Sequence, residues 1–317
     1  MKKISILVPT YNEEANVASL SEAIFAEMLS RLPQYDYEII FIDNDSSDAT
    51  RSILRRLCAD DRHIKAILNV KNFGQFNSPY YGLCQTTGDC AIMMCADFQD
   101  PVEMIPELIK EWENGHRVVC AIKTSSKESG VAYFLRTCYY KAIQKMSDVE
   151  HIEHFTGFGL YDKSFIDLMR NLDDTMPFLR GIVAEYAPDH KDIPYQQQKR
   201  RAGKTHNNWY TLYDAAMLSF TSYTKIGLRL AVFAGGLFSL VGFLIALAYL
   251  ILKLIFWDRF VAGQAPLIIG LFLLGSVQLF FIGLLGEYIL NINNRVIHRP
   301  LVVEEARVGF AEEDGRQ

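Results

Sequence analysis

KISILVPTYNEE, residues 3–14, passes from a short apolar run directly into an acidic, polar turn. A run of this length that is rich in Ile, Leu and Val is typical of a buried β-strand. It ends at Pro9 without the small-residue cleavage site of a secretory leader, so we interpret it as the first strand of a folded domain. The turn lacks the glycines of a phosphate loop or a dinucleotide-binding fingerprint. The stretch therefore predicts a strand that presents polar side chains at its carboxyl end.

The pattern of a buried strand followed by an amphipathic helix repeats downstream. Further strands are predicted at 38–42, 65–70, 90–95 and 117–122. Helices are predicted near 13–31, 47–60, 76–87 and 102–114, with another near 129–146. Ser46 or Ser47 is expected to cap the second helix, and Pro101 is expected at the start of the fourth. This alternation predicts an α/β fold with a doubly wound, mostly parallel sheet that binds ligands at the carboxyl ends of its strands.

Two long apolar runs without charged residues, 230–252 and 266–286, follow this domain. At about 1.5 Å per helical residue, each run is long enough to cross a bilayer core of about 30 Å. Basic residues concentrate before the first run and after the second. The positive-inside rule then predicts that the α/β domain and both termini face the cytoplasm. We expect an integral protein of a bacterial inner membrane.

Aromatic residues recur at helical spacing between 209 and 223. They predict an amphipathic helix that lies in the membrane interface or packs on the α/β domain. The expected organisation is an α/β domain at 1–205, the amphipathic helix at 206–226, a two-helix transmembrane hairpin at 227–291 and a cytoplasmic tail at 292–317. Gly283 and Gly286 are compatible with close approach of helices in a homo-oligomer, without establishing one.

The net charge and the cysteines indicate which partners and which cellular compartment to expect. The net charge of −5 predicts no general attraction to nucleic acid. None of the six cysteines forms a Cys-x-x-Cys pair, and we expect reduced thiols in a cytoplasmic compartment. A local basic cluster at Arg200, Arg201 and Lys204 suits phosphate groups, either of substrates or of anionic lipid headgroups.

Carboxylates follow two of the predicted strands. Asp43 could accept hydrogen bonds from a nucleobase or a ribose, whereas Asp48 is expected to serve the next helix. After the fourth strand, alternation places Asp97 and Gln99 on the same side of an extended segment. Their hard oxygen atoms suit Mg²⁺ or Mn²⁺ bridging a diphosphate.

Taken together, the motifs resemble glycosyltransferase family 2, and within it the polyprenyl-phosphate branch. The resemblance runs nearly end to end and rests on VPTYNE at 8–13, IDNDSSD at 42–48, NFGQ at 72–75, ADFQDP at 96–101, the Arg-x-x-Gly at 200–203 and LLGEY at 284–288. It implies a GT-A fold and an inverting transfer of a sugar from a UDP- or GDP-linked donor to a polyprenyl phosphate.

The resemblance also implies roles for individual residues. The nucleoside would be held by Pro9, Tyr11, Glu13 and Asp43. The Mg²⁺ or Mn²⁺ ion would be held by Asp97 and Gln99. Arg200 would contact the phosphates of donor or acceptor, and with Asp97 it would be catalytic.

Two positions depart from the family pattern. Cys95 stands where an aspartate is usual, and Thr205-His206 stands where the basic loop usually ends Ser-Lys. Asp97 and Gln99 keep the metal-binding part of the motif, so we expect an active enzyme with an altered substrate. Two alternatives stay open: a non-catalytic, nucleotide-sugar-binding membrane subunit, and a processive polysaccharide synthase. The second requires a Gln-x-x-Arg-Trp motif, whose Trp is missing at 197–201.

Overall fold

The computed structural model of the protein describes residues 1–124, 152–172, 174, 177–198, 200–201, 264–296 and 299–310, with scattered helical positions between 233 and 255. The chain separates into two compact units. The first comprises Met1–Lys141, Val149–Asn208 and Ile297–Gln317, and the second Ala142–Asp148 and Trp209–Val296. The predicted helices at 129–146 and 206–226 lie outside the described residues.

One mixed sheet forms the centre of the first unit. Its strands are β1 Lys3–Thr10, β2 Asp36–Asp43, β3 Ile64–Asn69, β4 Cys90–Met93, β5 Val118–Lys123, β6 Phe155–Asp162, β7 Lys191–Tyr195 and β8 Glu304–Val308. Within the described residues, the strand order is β7–β5–β6–β4–β1–β2–β3–β8. The pairings make β6 and β8 run opposite to the other six strands. The predicted α/β class is confirmed, with a sheet that is parallel in its centre and mixed towards its edges.

Helices cover both faces of this sheet. They are α1 Val17–Arg31, α2 Thr50–Asp60, α3 Gly74–Cys84, α4 Ile105–Glu113, α5 Lys163–Asn171 and α6 Leu179–Tyr186, and a single 3₁₀ turn, Val102–Met104, precedes α4. Because side chains alternate along a strand, Ile4 and Ile6 of β1 pack with α1, α2 and α4 on one face. Leu7 packs on the other face with α3, α5 and α6. Both faces are apolar, which explains why the central strands read as continuous hydrophobic runs.

The boundaries of several elements differ from the prediction. The cap predicted at Ser46 or Ser47 is wrong, because α2 begins at Thr50 after Ala49 and has no side-chain cap. Ser46 instead bonds to the Asp43 carboxylate through its hydroxyl and its N–H. The fourth strand ends at Met93, two residues before the predicted end. The predicted tail 292–317 contains β8, which pairs antiparallel with β3.

The second unit is described mainly by one helix, α7, Gln264–Val296. It contains the predicted apolar run 266–286, whereas the run 230–252 is described only at scattered helical positions. Within the residues that the structure describes, no helix is long and apolar enough to qualify as a membrane span.

Candidate active site

Polar loops meet where the parallel strands β4, β1 and β2 end side by side. Thr10 and Asp43, the last residues of β1 and β2, are paired in the parallel register. The Asn12 N–H donates to the Ser46 hydroxyl at 2.8 Å, and the Asn12 side-chain oxygen accepts from the Ser47 N–H at 2.8 Å. Asn12 adopts a left-handed backbone with φ of 55°, a conformation that asparagine tolerates better than most residues. These bonds join the turns after β1 and β2 into one surface.

The residues predicted to hold the nucleoside lie along this surface. Pro9, Tyr11 and Glu13 are each partly exposed. The Glu13 carboxylate accepts from the Asn16 amide at 2.6 Å, and its backbone N–H donates to the Thr50 hydroxyl at 2.9 Å. The turn after β1 is therefore held in a fixed conformation while it keeps a surface for a ligand.

Asp43 is fully buried at the end of β2. Its carboxylate accepts from the Ser46 hydroxyl and, at 2.8 Å, from the Arg51 guanidinium. The same guanidinium donates to Glu305 of β8 at 2.8 Å and to the Asn69 carbonyl at the end of β3. Arg51 thus links the ends of β2 and β3 to the C-terminal strand, a role that its place in an ordinary amphipathic helix did not indicate.

The Asp48 carboxylate accepts hydrogen bonds from backbone N–H groups. Its carboxylate takes the Thr50 N–H at 3.0 Å and the Glu14 N–H at 3.2 Å. Burial opposes ionisation, but these N–H groups and the Thr50 hydroxyl outweigh it and lower the pKa of Asp48. The arrangement is the structural one expected for this residue.

The amide side chain of Asn44 fixes the loop that carries the NFGQ motif. Its nitrogen donates to the Asn72 side-chain oxygen at 2.8 Å and to the Gly74 carbonyl at 3.2 Å. Its oxygen accepts from the Phe73 N–H at 2.8 Å. Asn44 was not singled out in the sequence because a buried asparagine after a strand carries no signal of its own.

Asp97 lies in the turn after β4 and is only 4% exposed. One oxygen accepts the Gln99 N–H at 3.0 Å, and the other lies 2.9 Å from the Arg200 guanidinium. Phe98 between Asp97 and Gln99 has a φ of 61°, which is rare for a bulky residue. The turn brings together the two predicted metal ligands and the predicted phosphate-binding arginine.

Gln198 and Arg201 lie along this turn. The Gln198 N–H donates to the Gln99 carbonyl at 3.2 Å, and the Arg201 N–H donates to the Asp97 carbonyl at 3.3 Å. The Arg201 guanidinium lies over the Phe98 ring, 4.3 Å from its centre, in a cation–π contact. Backbone bonds and the ring contact therefore hold Arg200 next to Asp97.

The Asp100 side chain fixes the conformation of the Asp97 turn through two hydrogen bonds. It accepts the Cys95 N–H at 2.9 Å and the Tyr195 hydroxyl at 3.0 Å. Burial raises the pKa of the Asp100 carboxyl above its usual value. Cys95 keeps an exposed surface, yet the enclosing protein and the carboxylates of Asp100 and Asp97 raise the pKa of its thiol well above its usual value. The Cys95 thiol is therefore neutral at neutral pH.

Comparison with known proteins agrees with this arrangement. The family model for glycosyl transferase family 2 matches residues 5–186. A bactoprenol glucosyl transferase of Shigella phage SfX is 31% identical over 307 residues, which cover 96% of this chain and 99% of the relative. A prophage bactoprenol glucosyl transferase homolog of Escherichia coli K12 is 31% identical over 289 residues, with 90% and 93% coverage.

A solved structure, glucosyl-3-phosphoglycerate synthase of Mycobacterium tuberculosis, is similar with a TM-score of 0.47 and 15% identity, over 69% of this chain and 78% of that chain. The sequence match to the family extends from β1 through α6 and includes the turns after β1, β2 and β4. These turns carry the predicted site. The matches identify the protein as a glycosyltransferase. The chain belongs to glycosyltransferase family 2.

Proposed function

We propose that this glycosyltransferase moves a sugar from a UDP- or GDP-linked donor to a polyprenyl phosphate at the cytoplasmic face of a membrane, with inversion at the anomeric carbon. The observation that carries the proposal is the Asp97 turn, where a nearly buried carboxylate faces Arg200 at 2.9 Å. The relatives whose names specify bactoprenol, a bacterial polyprenyl lipid, match almost the whole chain. Similarity over almost the whole chain supports a polyprenyl phosphate as the acceptor of this enzyme too.

The Asp97 turn fits a divalent cation. Asp97 and Gln99 offer carboxylate and amide oxygens, the ligand types that Mg²⁺ and Mn²⁺ prefer. The Asp97 carboxylate pairs with the Arg200 guanidinium at 2.9 Å, and a bound ion would take the place of this guanidinium. When bound, the ion would offset the negative charge that develops on the leaving diphosphate.

Arg200 would act on the phosphates. A guanidinium donates two parallel hydrogen bonds to a phosphate, which fixes orientation as well as charge. The acceptor is a phosphate monoester with a second pKa of about 6, so its attacking oxygen is already largely anionic at neutral pH. A strong general base is then unnecessary. The enzyme's own residues would hold two anionic substrates in line, and a single displacement would invert the anomeric configuration.

We propose that the second unit anchors the enzyme in the membrane, through α7 and the run 230–252. Support comes from large apolar side chains on α7 that are exposed in this chain, among them Leu267, Leu271, Leu279, Phe280 and Ile289. Apolar surface of this extent is unusual on a soluble protein and indicates contact with lipid or with another apolar surface. The cytoplasmic placement of the first unit rests on the distribution of basic residues.

The decisive experiment compares Asp97→Asn with wild type in membranes. Full-length protein would receive UDP- and GDP-sugars, Mn²⁺ and a short polyprenyl phosphate, and product lipid and free nucleotide diphosphate would be measured. Loss of one preorganised charge-stabilising group should lower turnover by about 100-fold or more. Membrane association should be unchanged.

Asp48→Asn is the matched control, because Asp48 ends a neighbouring turn and contacts protein N–H groups. It should keep most of the activity. Wild-type turnover by Asp97→Asn would remove the metal assignment. Release of no nucleotide diphosphate with any donor and polyprenyl phosphate would instead favour a non-catalytic subunit.

A further inference from the structure

A second set of metal-ligand side chains lies away from the Asp97 turn. Cys120 of β5 and Asp192 of β7 are paired in the parallel register of these neighbouring strands, and His190 immediately precedes β7. The Cys120 sulfur, a ring nitrogen of His190 and a carboxylate oxygen of Asp192 all lie within 4.8 Å of one another. In the sheet, β6 separates β5 and β7 from β4 and the site described above.

The orientation of the His190 ring points to a cation. Its Nδ1 lies 2.8 Å from the Ala187 carbonyl, an acceptor, so Nδ1 carries the proton. The other ring nitrogen, Nε2, lies 3.3 Å from an Asp192 oxygen. A cation between these two atoms would take a lone pair from each. A histidine that donates Nδ1–H to a backbone carbonyl is the usual arrangement of a metal-binding imidazole.

We propose that Cys120, His190 and Asp192 form a zinc site. Bonds of about 2.0–2.1 Å at a tetrahedral ion place its nitrogen and oxygen ligands about 3.4 Å apart, close to the 3.3 Å between His190 Nε2 and Asp192 Oδ1. A histidine–carboxylate ion pair would not require a thiol beside it. A set of one sulfur, one nitrogen and one oxygen ligand is one that Zn²⁺ accepts. Mg²⁺ and Mn²⁺ prefer oxygen alone.

The surroundings of Cys120 agree with a metal-dependent thiolate. The residue is fully buried. Zinc would bind it as the thiolate, so metal binding would release the thiol proton. Asp192 is exposed and His190 is partly exposed, so an ion can enter from the solvent side. A water would complete the fourth position.

The ion would join three segments of the first unit: β5, β7 and the turn from Ala187 to His190 after α6. β7 ends at Tyr195, whose hydroxyl donates to Asp100, and the chain continues to Gln198 and Arg201, whose N–H groups donate to the Asp97 turn. Zinc at this place would therefore stabilise β7 and, through it, the residues that hold the Asp97 turn. It would not take part in the reaction.

The test uses the full chain in detergent, purified without a polyhistidine tag. The protein is stripped with EDTA, dialysed against Zn²⁺, passed through a desalting column and analysed for retained zinc by mass spectrometry. All variants also carry Asp97→Asn, so that zinc bound at the Asp97 turn does not contribute to the measured zinc content. We expect one zinc per chain, and at least about 100-fold weaker binding after Cys120→Ala.

His63→Gln is the matched control, because His63 also pairs with an aspartate, Asp61, at 2.7 Å but is outside the proposed zinc site. It should keep the zinc. Because Cys120→Ala can disturb the core, Co²⁺ provides a second measurement in protein with Cys120 intact, where a thiolate ligand gives a sulfur-to-cobalt charge-transfer band. No retained zinc, equal retention by Cys120→Ala in folded protein, or a cobalt complex without this band would each overturn the proposal.

Discussion

Replacing Glu38 by glutamine should destabilise the protein by about 3 kcal/mol at neutral pH. Glu38 is 1% exposed at the end of the sheet opposite the active site. Its carboxylate accepts from Lys3 and Lys65, each at 2.8 Å, from the Ser5 hydroxyl at 2.6 Å and from the Thr87 N–H at 2.9 Å. Glutamine keeps the shape of the side chain but leaves two largely buried ammonium groups without a negative partner.

The magnitude follows from the pKa of Glu38. Burial raises this pKa, but hydrogen bonds from Lys3, Lys65 and Ser5 outweigh burial and lower it from 4.5 to about 2. At 1.36 kcal/mol for each factor of ten, the charged form is stabilised in the folded protein by about 3 kcal/mol. Because the folded pKa is the lower one, this stabilisation is complete above about pH 4.5 and disappears as the pH falls towards 2.

Denaturant unfolding of the full chain in detergent, followed by tryptophan fluorescence, measures the effect. The difference between wild type and Glu38→Gln should be largest near neutral pH and should shrink between about pH 4.5 and about pH 2. Glu27→Gln is the control, since Glu27 is partly buried and pairs with the exposed Arg31 one helical turn along α1; it should change stability by less than about 1 kcal/mol. A difference that stays constant through this pH window would refute the reasoning.

Three further outcomes are expected. Gly159→Ala should cost about 3 kcal/mol or more, because its Cβ would lie 2.3 Å from the Val119 carbonyl oxygen, and an unchanged melting temperature would contradict this. Glu305→Gln removes the β8 partner of Arg51. It should raise the KM for the donor by about fivefold or less, while kcat stays near the wild-type value. A fall in kcat alone would argue against a link from β8 through Arg51 to the donor site. Cys95 should react slowly with iodoacetamide at neutral pH and faster as the pH rises, because its thiol pKa is raised; rapid labelling at neutral pH would exclude this.

The central strands of the sheet were predictable because both of their faces are buried. β1, β2 and β3 read as continuous apolar runs, and the structure places them close to the predicted ranges. The strands that were not predicted lack this signal. β6 contains Gly157 and Gly159, which weaken the strand pattern, and the edge strands β7 and β8 carry polar residues on exposed positions.

The residues of the candidate site could be proposed one by one from the sequence, but their arrangement could not. Asp97, Gln99 and Arg200 stood out because of their chemistry and their place after strands or near other basic residues. Their meeting depends on backbone bonds between two loops that are far apart in sequence, and no periodicity encodes such bonds. Arg51 gave no signal for the same reason, since its partners lie on β2, β3 and β8.

Charge balance gives a reason for the contact between Asp97 and Arg200. A carboxylate that is 4% exposed requires a nearby positive charge, because an unpaired buried charge is costly. Arg200 supplies it at 2.9 Å. A divalent cation at Asp97 would compete with the guanidinium for this carboxylate, and the phosphates that the cation accompanies would offer the guanidinium further anionic partners. The neighbouring backbone bonds at Gln198 and Arg201 do not involve the guanidinium of Arg200. Its side chain would therefore reach phosphate oxygens while Gln198 and Arg201 keep their bonds to the Asp97 turn, and the charge of Asp97 would be balanced when the donor binds.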